Sequence, residues 1–557
     1  MGSRIVAASR RRGWPFGSVE IARRGDGLRT IILMGCAFAL GLMACAAPTL
    51  KDDRDLTDHE FRRDAMREAG PPTRIFLITV SGLDSSNYLD PWGHSVAEGG
   101  PVAMPNLAQL AREGAMGVYA IPPSPGATRS SHATLVTGLL PPKHGVIADG
   151  TLSADGGRVM PFLDSRLLKG TALWDAAIGR GVLSMGWPTT GGARIELMIP
   201  EVAGGGSTSW LERIKSVSSP MLVRELESIA IADVEASPER DDGSIRELPT
   251  WPTAAEKDAA FVETVCRIVA SDRDPGLWLL KLDQAEDAQR LAGYGSVEVN
   301  DSLTRVDDGL GRLRACLEAQ DQLADSALFV VGDVAYKPVH SSVAPNVALV
   351  KSGLIGRDPR STTGVRSWLT LVRSHGRSAY VYARDAGSAL EAREVLEVES
   401  ELTGAFEVVS AKEMAKFDVD PQAWFGLVAA PGFTIGNELT GANIRPAEVR
   451  SAPGSLAASD STDAGVGFVA WGRGIRQQIR LPVVELVDVA PTVAALLGVR
   501  LGENVEGAEL MGIMRASIDP PPMGPKRLGA EGGMDVDDML KDIRGGRRVG
   551  QPEDESE

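Results

Sequence analysis

Three times in this chain a short run of apolar and β-branched residues stops abruptly on a serine, an aspartate or a glycine. Arg74-Ile75-Phe76-Leu77-Ile78-Thr79-Val80 closes on Ser81-Gly82, Leu277-Trp278-Leu279-Leu280-Lys281-Leu282 on Asp283, and Ala327-Leu328-Phe329-Val330-Val331 on Gly332-Asp333. Runs this apolar, without strict alternation, are strands covered on both faces, as in parallel sheets. Helical patterns separate them. Apolar residues recur at helical spacing from Leu303 to Leu317, and the stretch from Pro491 to Gly498 opens with proline and stops with glycine. This alternation predicts an α/β fold: a doubly wound, mostly parallel sheet with helices on both faces. Open sheets of that kind bind ligands at the carboxyl ends of their strands, so the residues on which the runs stop are where chemistry is expected.

The ends of the chain have a different texture. Arg23, Arg24 and Arg29 precede an apolar run from Thr30 to Leu42 that is short for a membrane span and reads as an export signal. It ends in Leu42-Met43-Ala44-Cys45, which resembles the bacterial lipobox, whose cysteine is diacylated and becomes the first residue of the mature protein. The alternative is an ordinary signal peptide or uncleaved anchor that contains Cys45. Two lipid chains suffice for stable anchoring. With Ala46 and Ala47 next, the expectation is a periplasm-facing lipoprotein of the cell envelope, sorted to the outer rather than the inner membrane. The expected layout is a signal peptide over 1–45, a flexible tether over 46–72, an α/β domain over 73–515 and a disordered tail over 516–557. A smaller α+β subdomain is expected as an insert over about 339–450, where the pattern changes. Once Cys36 is removed and Cys45 acylated, Cys266 and Cys316 remain, as two buried thiols or one disulfide. A net charge of −16 over 557 residues argues against sequence-independent binding to nucleic acid.

Several blocks occur in a telling order: Met104-Pro105-Asn106-Leu107, Thr128-Arg129-Ser130-Ser131-His132-Ala133-Thr134, Pro142-Lys143-His144-Gly145, Gly186-Trp187-Pro188, Ala470-Trp471-Gly472 and Asp488-Val489-Ala490-Pro491-Thr492. Together they resemble the type I phosphodiesterase and nucleotide pyrophosphatase branch of the alkaline phosphatase superfamily, over roughly 73 to 510. The resemblance implies a phosphoester hydrolase in which two zinc ions, held by carboxylates and imidazoles from several strand ends, activate a threonine and polarise a phosphoryl oxygen. It puts Thr128 at the nucleophile position, Asp333 at the first place of an Asp-His pair and Glu286 at an aspartate ligand. A shifted register would use Asp283 and Asp287 instead. Three other ligand positions are lost: Ser81 replaces the first-strand aspartate, Arg290 a histidine, and Val334 the partner of Asp333. Asp84 lies three residues beyond Ser81, and the late histidine falls near Pro453. The six histidines are His59, His94, His132, His144, His340 and His375, and none falls at a ligand position of the family. His132 and His144 match its scaffold positions, and His340 is expected in a loop.

Carboxylates that face one another without metal repel and raise each other's pKa, so a positive group is expected among them. Arg290 is the candidate, pairing with Asp333 or Glu286; the alternative is that it faces solvent. Thr128 also fits a helix N-cap. The first reading is therefore a catalytically impaired family member, a pseudoenzyme without cofactor that acts as a binding or scaffold protein. Its partners would be the bacterial membrane, through lipidated Cys45, and an envelope protein or a phosphorylated ligand. The alternative is an active hydrolase of phosphodiesters or sulfate esters with Thr128 as nucleophile. It would use a divalent metal (zinc, magnesium or manganese), and oxygen ligands such as Asp333 and Glu286 would favour the harder ions.

Overall fold

The computed structural model describes residues 70–89, 103–152, 159–204, 208–236, 251–360, 364–417, 419–454 and 465–515. The expected signal peptide, nearly all of the tether and the tail, with Cys45, His59 and His94, lie outside them.

An eight-stranded sheet forms the centre. Its strands are β1 (Arg74–Val80), β2 (Ala115–Ile121), β3 (Val182–Met185), β4 (Leu197–Ile199), β5 (Leu277–Leu282), β6 (Ser326–Val331), β7 (Val466–Gly472) and β8 (Ile479–Glu485), in the order β8-β2-β7-β6-β1-β5-β3-β4. β7 runs antiparallel to both its neighbours, and all the other pairs are parallel. The expected doubly wound, mostly parallel sheet is therefore present.

Alternation along the strands sorts the core into two layers. On one face Phe76, Ile78, Val80, Trp278, Leu280, Leu282, Leu328 and Val330 pack against helix Pro105–Glu113, α2 (Ala254–Val269) and α4 (Val297–Ala319). On the other face Ile75, Leu77, Leu277, Leu279, Ala327, Phe329 and Val331 pack against α1 (Thr128–Thr137) and helix Val489–Leu497. The Asn106 block has a structural use: the Asp307 carboxylate accepts the backbone N–H groups of Asn106 and Leu107 at 2.8 Å each, capping that helix's free donors.

Cys266 on α2 and Cys316 on α4 are joined in a disulfide, which decides between the two states the sequence left open. Strands Thr370–His375, Ser378–Ala383, Phe406–Val409 and Phe425–Ala429 form a separate antiparallel sheet, with its own core against helix Ala386–Thr403. His340 lies not in a loop but in strand Lys337–Val343, held by strands on both sides. Its side chain is exposed, so the apolar alternation that marks a strand is interrupted there. No helix among the described residues is long and apolar enough to cross a membrane.

Candidate active site

The site follows from the same alternation. On the face that meets α1, the inward positions of β1 read Ile75, Leu77, Thr79 and then Ser81; those of β5 read Leu277, Leu279, Lys281 and then Asp283; those of β6 read Ala327, Phe329, Val331 and then Asp333. Thr79 stands opposite Lys281 in the register and beside Val331. Each strand thus turns from apolar to polar at its carboxyl end, where the first turn of α1 covers it.

Asp333 is fully buried. Its carboxylate accepts Ser81 Oγ at 3.0 Å, the Val334 N–H at 2.8 Å and the Gly82 N–H at 3.3 Å. Gly82 has φ +84°, the left-handed turn that brings its N–H round to Asp333 and its carbonyl to Gln289 Nε2 at 2.6 Å. His132 sits behind this group, with its ring edge-on to Trp187 at 4.7 Å. Its Nδ1 is 2.7 Å from the Thr128 carbonyl and its Nε2 2.8 Å from Thr79 Oγ1. A carbonyl only accepts, so Nδ1 carries the proton and Nε2 accepts from the Thr79 hydroxyl. Burial, helped by the nearby Lys281 charge, lowers the His132 pKa to about 3. At 3.7 Å from Asp333 it is a neutral ring and not an ion-pair partner.

A positive charge does lie among the carboxylates, and it is Lys281. Its side chain is buried and its ammonium binds Asp283, which also binds Lys257 from the first turn of α2. Burial opposes charge on Asp283, but the two ammonium groups overcome it and hold the carboxyl well below its usual range. Burial likewise opposes the Lys281 charge, and Asp283, Glu201 and Glu286 together raise its pKa above the ordinary value. Asp258, beside Lys257, accepts the N–H groups of Asp283 and Gln284, and burial with the Asp283 charge raises its pKa to about 7. Glu286 accepts the Tyr336 hydroxyl at 2.7 Å, and burial raises it to about 7 against the pull of Lys281. Asp333 is raised to about 6 by burial, against Lys281 and the Ser81 hydrogen bond.

Ser81, Asp333, Val334, Glu286 and the start of α1 with Thr128 therefore converge. Arg290 does not. It is half exposed, 3.5 Å from Asp287 on its own helix α3 (Gln284–Ala292), so the pairing expected with Asp333 or Glu286 is corrected to solvent exposure. The buried face of α3 runs through Ala285 and Gln289, and Arg290, one residue further on, is rotated out of it. Asp84 caps its own turn by accepting the Ser86 N–H at 2.8 Å, away from the site. Thr128 is not an N-cap: Ala127 holds that place with extended backbone, and Thr128 is the first helical residue. Its side chain is half-buried and makes no hydrogen bond to a described residue. Next to it Arg129 forms a two-bond pair with Glu201, at 2.7 and 3.1 Å, and ties to Asp149. His144 is structural: its Nδ1 accepts the Val146 N–H at 3.0 Å, and its Nε2 is 3.0 Å from Thr134 Oγ1.

Sequence reasoning missed Lys281, Lys257, Asp258, Arg129 and Tyr336. One signal was available for the first, a lysine in the fifth place of an otherwise apolar buried strand. Lys257 and Asp258 reach the site only through the packing of α2, which no local pattern announces.

These shifts oppose one another in pH. Asp258, Glu286 and Asp333 have raised folded pKa values, so their contribution is complete below the ordinary carboxylate range and is lost as pH rises through about 6 to 7. His132 and His144, lowered to about 3, and His375, lowered to about 4, contribute fully above the ordinary imidazole value and lose it as pH falls. Between about pH 5 and 6 the two sets largely cancel, with the raised carboxyls of Asp175, Asp307 and Glu509 adding to the first, so urea-denaturation stability is expected to change little there, any net slope running toward lower stability at higher pH. A slope of a whole proton, about 1.4 kcal/mol per pH unit, would refute the balance.

The zinc pair implied by the sequence resemblance does not suit these residues. Zinc needs a closed set of nitrogen, oxygen or sulfur donors. Among the described residues no three His, Cys, Asp or Glu side chains are grouped to hold a metal. The positions that would supply histidines carry Val334, Arg290 and Pro453, and a protonated lysine, which cannot ligate, lies among the carboxylates that remain.

A family model described as type I phosphodiesterase / nucleotide pyrophosphatase matches residues 76–433. Among solved structures, human ectonucleotide pyrophosphatase / phosphodiesterase 5 is similar over 77% of this chain and 95% of the human chain, with a TM-score of 0.52 at 15% identity, a likeness of fold. A search of curated proteins returned no match.

Proposed function

Since the chain belongs to the type I phosphodiesterase / nucleotide pyrophosphatase family, we propose that it is a catalytically impaired member, a binding or scaffold protein in which lysine stands in for the family's metal. The observation that carries this reading is the Lys281 ammonium, buried against Asp283 within electrostatic reach of Glu286 and Asp333. Two further features support it. A threonine hydroxyl is a weak nucleophile until a base or a metal activates it. The imidazole bonded to the Thr128 carbonyl, His132, has both nitrogens engaged and is held neutral in its interior position.

The test is the metal content of the purified full-length protein after dialysis against zinc, manganese or magnesium, with hydrolysis of bis(p-nitrophenyl) phosphate by wild type and Thr128→Ala. No retained metal and equal residual rates are expected. About two zinc ions per chain would overturn the reading. One retained magnesium or manganese, with a rate that Thr128→Ala abolishes, would install the active hydrolase in its place.

We also propose anchoring at the envelope through a lipid on Cys45. The Cys266–Cys316 disulfide supports an exported location, because such bonds persist in oxidising compartments. Cys45→Ser is expected to move the protein from the membrane fraction to the soluble one. A wild-type protein already in the soluble fraction would rule the anchor out.

A further inference from the structure

The inserted sheet carries a hairpin, strands Thr370–His375 and Ser378–Ala383, whose His375 lies within electrostatic reach of Asp149, the residue that accepts the Arg129 N–H. Its turn sits on Pro453, where the Arg377 N–H donates to the Pro453 carbonyl at 2.7 Å. Gly376 makes this approach possible: it has φ +77°, and a Cβ there would lie 2.2 Å from that carbonyl oxygen. The Ser451–Ala452 strand just before Pro453 pairs with Lys337 and Pro338, on the segment that leaves Asp333 through Tyr336. The hairpin is thus joined to the segment that follows Asp333.

Its two faces differ. Val372, Ala379 and Val381 enter the core of the inserted subdomain. On the opposite face the register pairs Arg373 with Tyr380 and His375 with Ser378. There Ser378 Oγ, Tyr380 Oη and His375 Nε2 are buried and make no well-formed hydrogen bond to a described residue, although the Asp420 backbone N–H lies close enough to Tyr380 Oη to act on it; Ser378 and Tyr380 are wholly inaccessible. Most buried polar atoms in native proteins are satisfied, and three unsatisfied ones gathered on one small surface point to a missing partner. All three can donate, and Arg373 adds a guanidinium whose pKa burial lowers. A partner that only accepts, and carries negative charge, suits them. The carboxylates nearby are already engaged: Asp149 accepts the Arg129 N–H at 2.9 Å, and Asp420 the Tyr382 hydroxyl at 2.6 Å.

We propose that Arg373, His375, Ser378 and Tyr380 form a subsite for a compact oxyanion, a phosphate or sulfate group on a ligand bound at the neighbouring candidate site. The subsite does not depend on whether Thr128 is catalytically competent.

Calorimetric titration of the full-length protein with inorganic phosphate and, separately, sulfate tests it. A dissociation constant in the millimolar range is expected for at least one of the two. Ser378→Ala, which removes a single oxygen, should weaken it by about tenfold or more. A chemical-shift change in one histidine ring on adding the anion, absent in His375→Gln, should accompany binding. No heat and no ring shift would overturn the proposal, and so would equal affinity in Ser378→Ala; both results would assign the three atoms to ordered water. Should His375→Gln fail to fold, the Ser378→Ala titration still decides.

Discussion

Replacing Lys281 by methionine is expected to lower the stability of the folded state by about 3–5 kcal/mol, because removing one member of a buried ion pair leaves the other charged and unpaired. Methionine keeps much of the length of the side chain, so the loss is of charge rather than of packing. Lys257 still binds Asp283, which places the expected value toward the lower end. Two signatures separate this from a packing defect. The loss should be larger at pH 8 than at pH 5, because Glu286 and Asp333, raised to about 7 and about 6, are largely protonated at pH 5 and need less counter-charge. Lys281→Arg, which keeps the positive charge, should also be more stable than Lys281→Met. Urea denaturation at the two pH values reads both. A loss below about 1 kcal/mol that does not change with pH would show that Lys281 is not the counter-charge of the site.

The second large effect is expected from the disulfide. Cys266 and Cys316 are separated by 50 residues in sequence, and closing a loop of that length removes chain entropy from the unfolded state worth about 4 kcal/mol. Cys266→Ala/Cys316→Ala should therefore lower the urea midpoint markedly, and dithiothreitol should do the same to the wild type. The effect should also be local. α2 carries Lys257 and Asp258 near its start and Cys266 a little over two turns on, so loosening α2 against α4 should speed amide exchange at Asp283 and Gln284, whose N–H groups are held by Asp258. An unchanged midpoint would mean that helix packing alone fixes the pair.

The sheet was legible in the sequence because its central strands are apolar on both faces and stop on polar residues, a pattern that composition and period reveal without tertiary information. Ser81 and Asp333 could be placed at the site for the same reason, and the first turn of α1 through the resemblance that puts Thr128 at the nucleophile position. The need for a positive group among the carboxylates also followed from charge alone, but not which residue supplies it. Arg290 stands four residues from Glu286, which predicts a shared helix face; Gln289 fills the inward position instead, bonding to the Gly82 carbonyl. Lys281 was hidden by its company, since a strand of leucines and a tryptophan reads as core whatever its fifth residue. The disulfide, and the approach of Lys257 and Asp258, depend on how α2 lies against the sheet and α4. That arrangement is fixed by summed packing and not by any local motif.

A metal ion is on loan from the surroundings and can be withdrawn by a chelator or by scarcity, whereas a lysine is covalent. With Lys281 and Lys257 on Asp283, the charge balance at the heart of this fold travels with the polypeptide, at any metal concentration. For the metal-free family member proposed above, the same fact closes the way back. A lineage regaining a metal centre would have to lose Lys281 before the ligands were in place, crossing a stretch of unstable intermediates that selection removes.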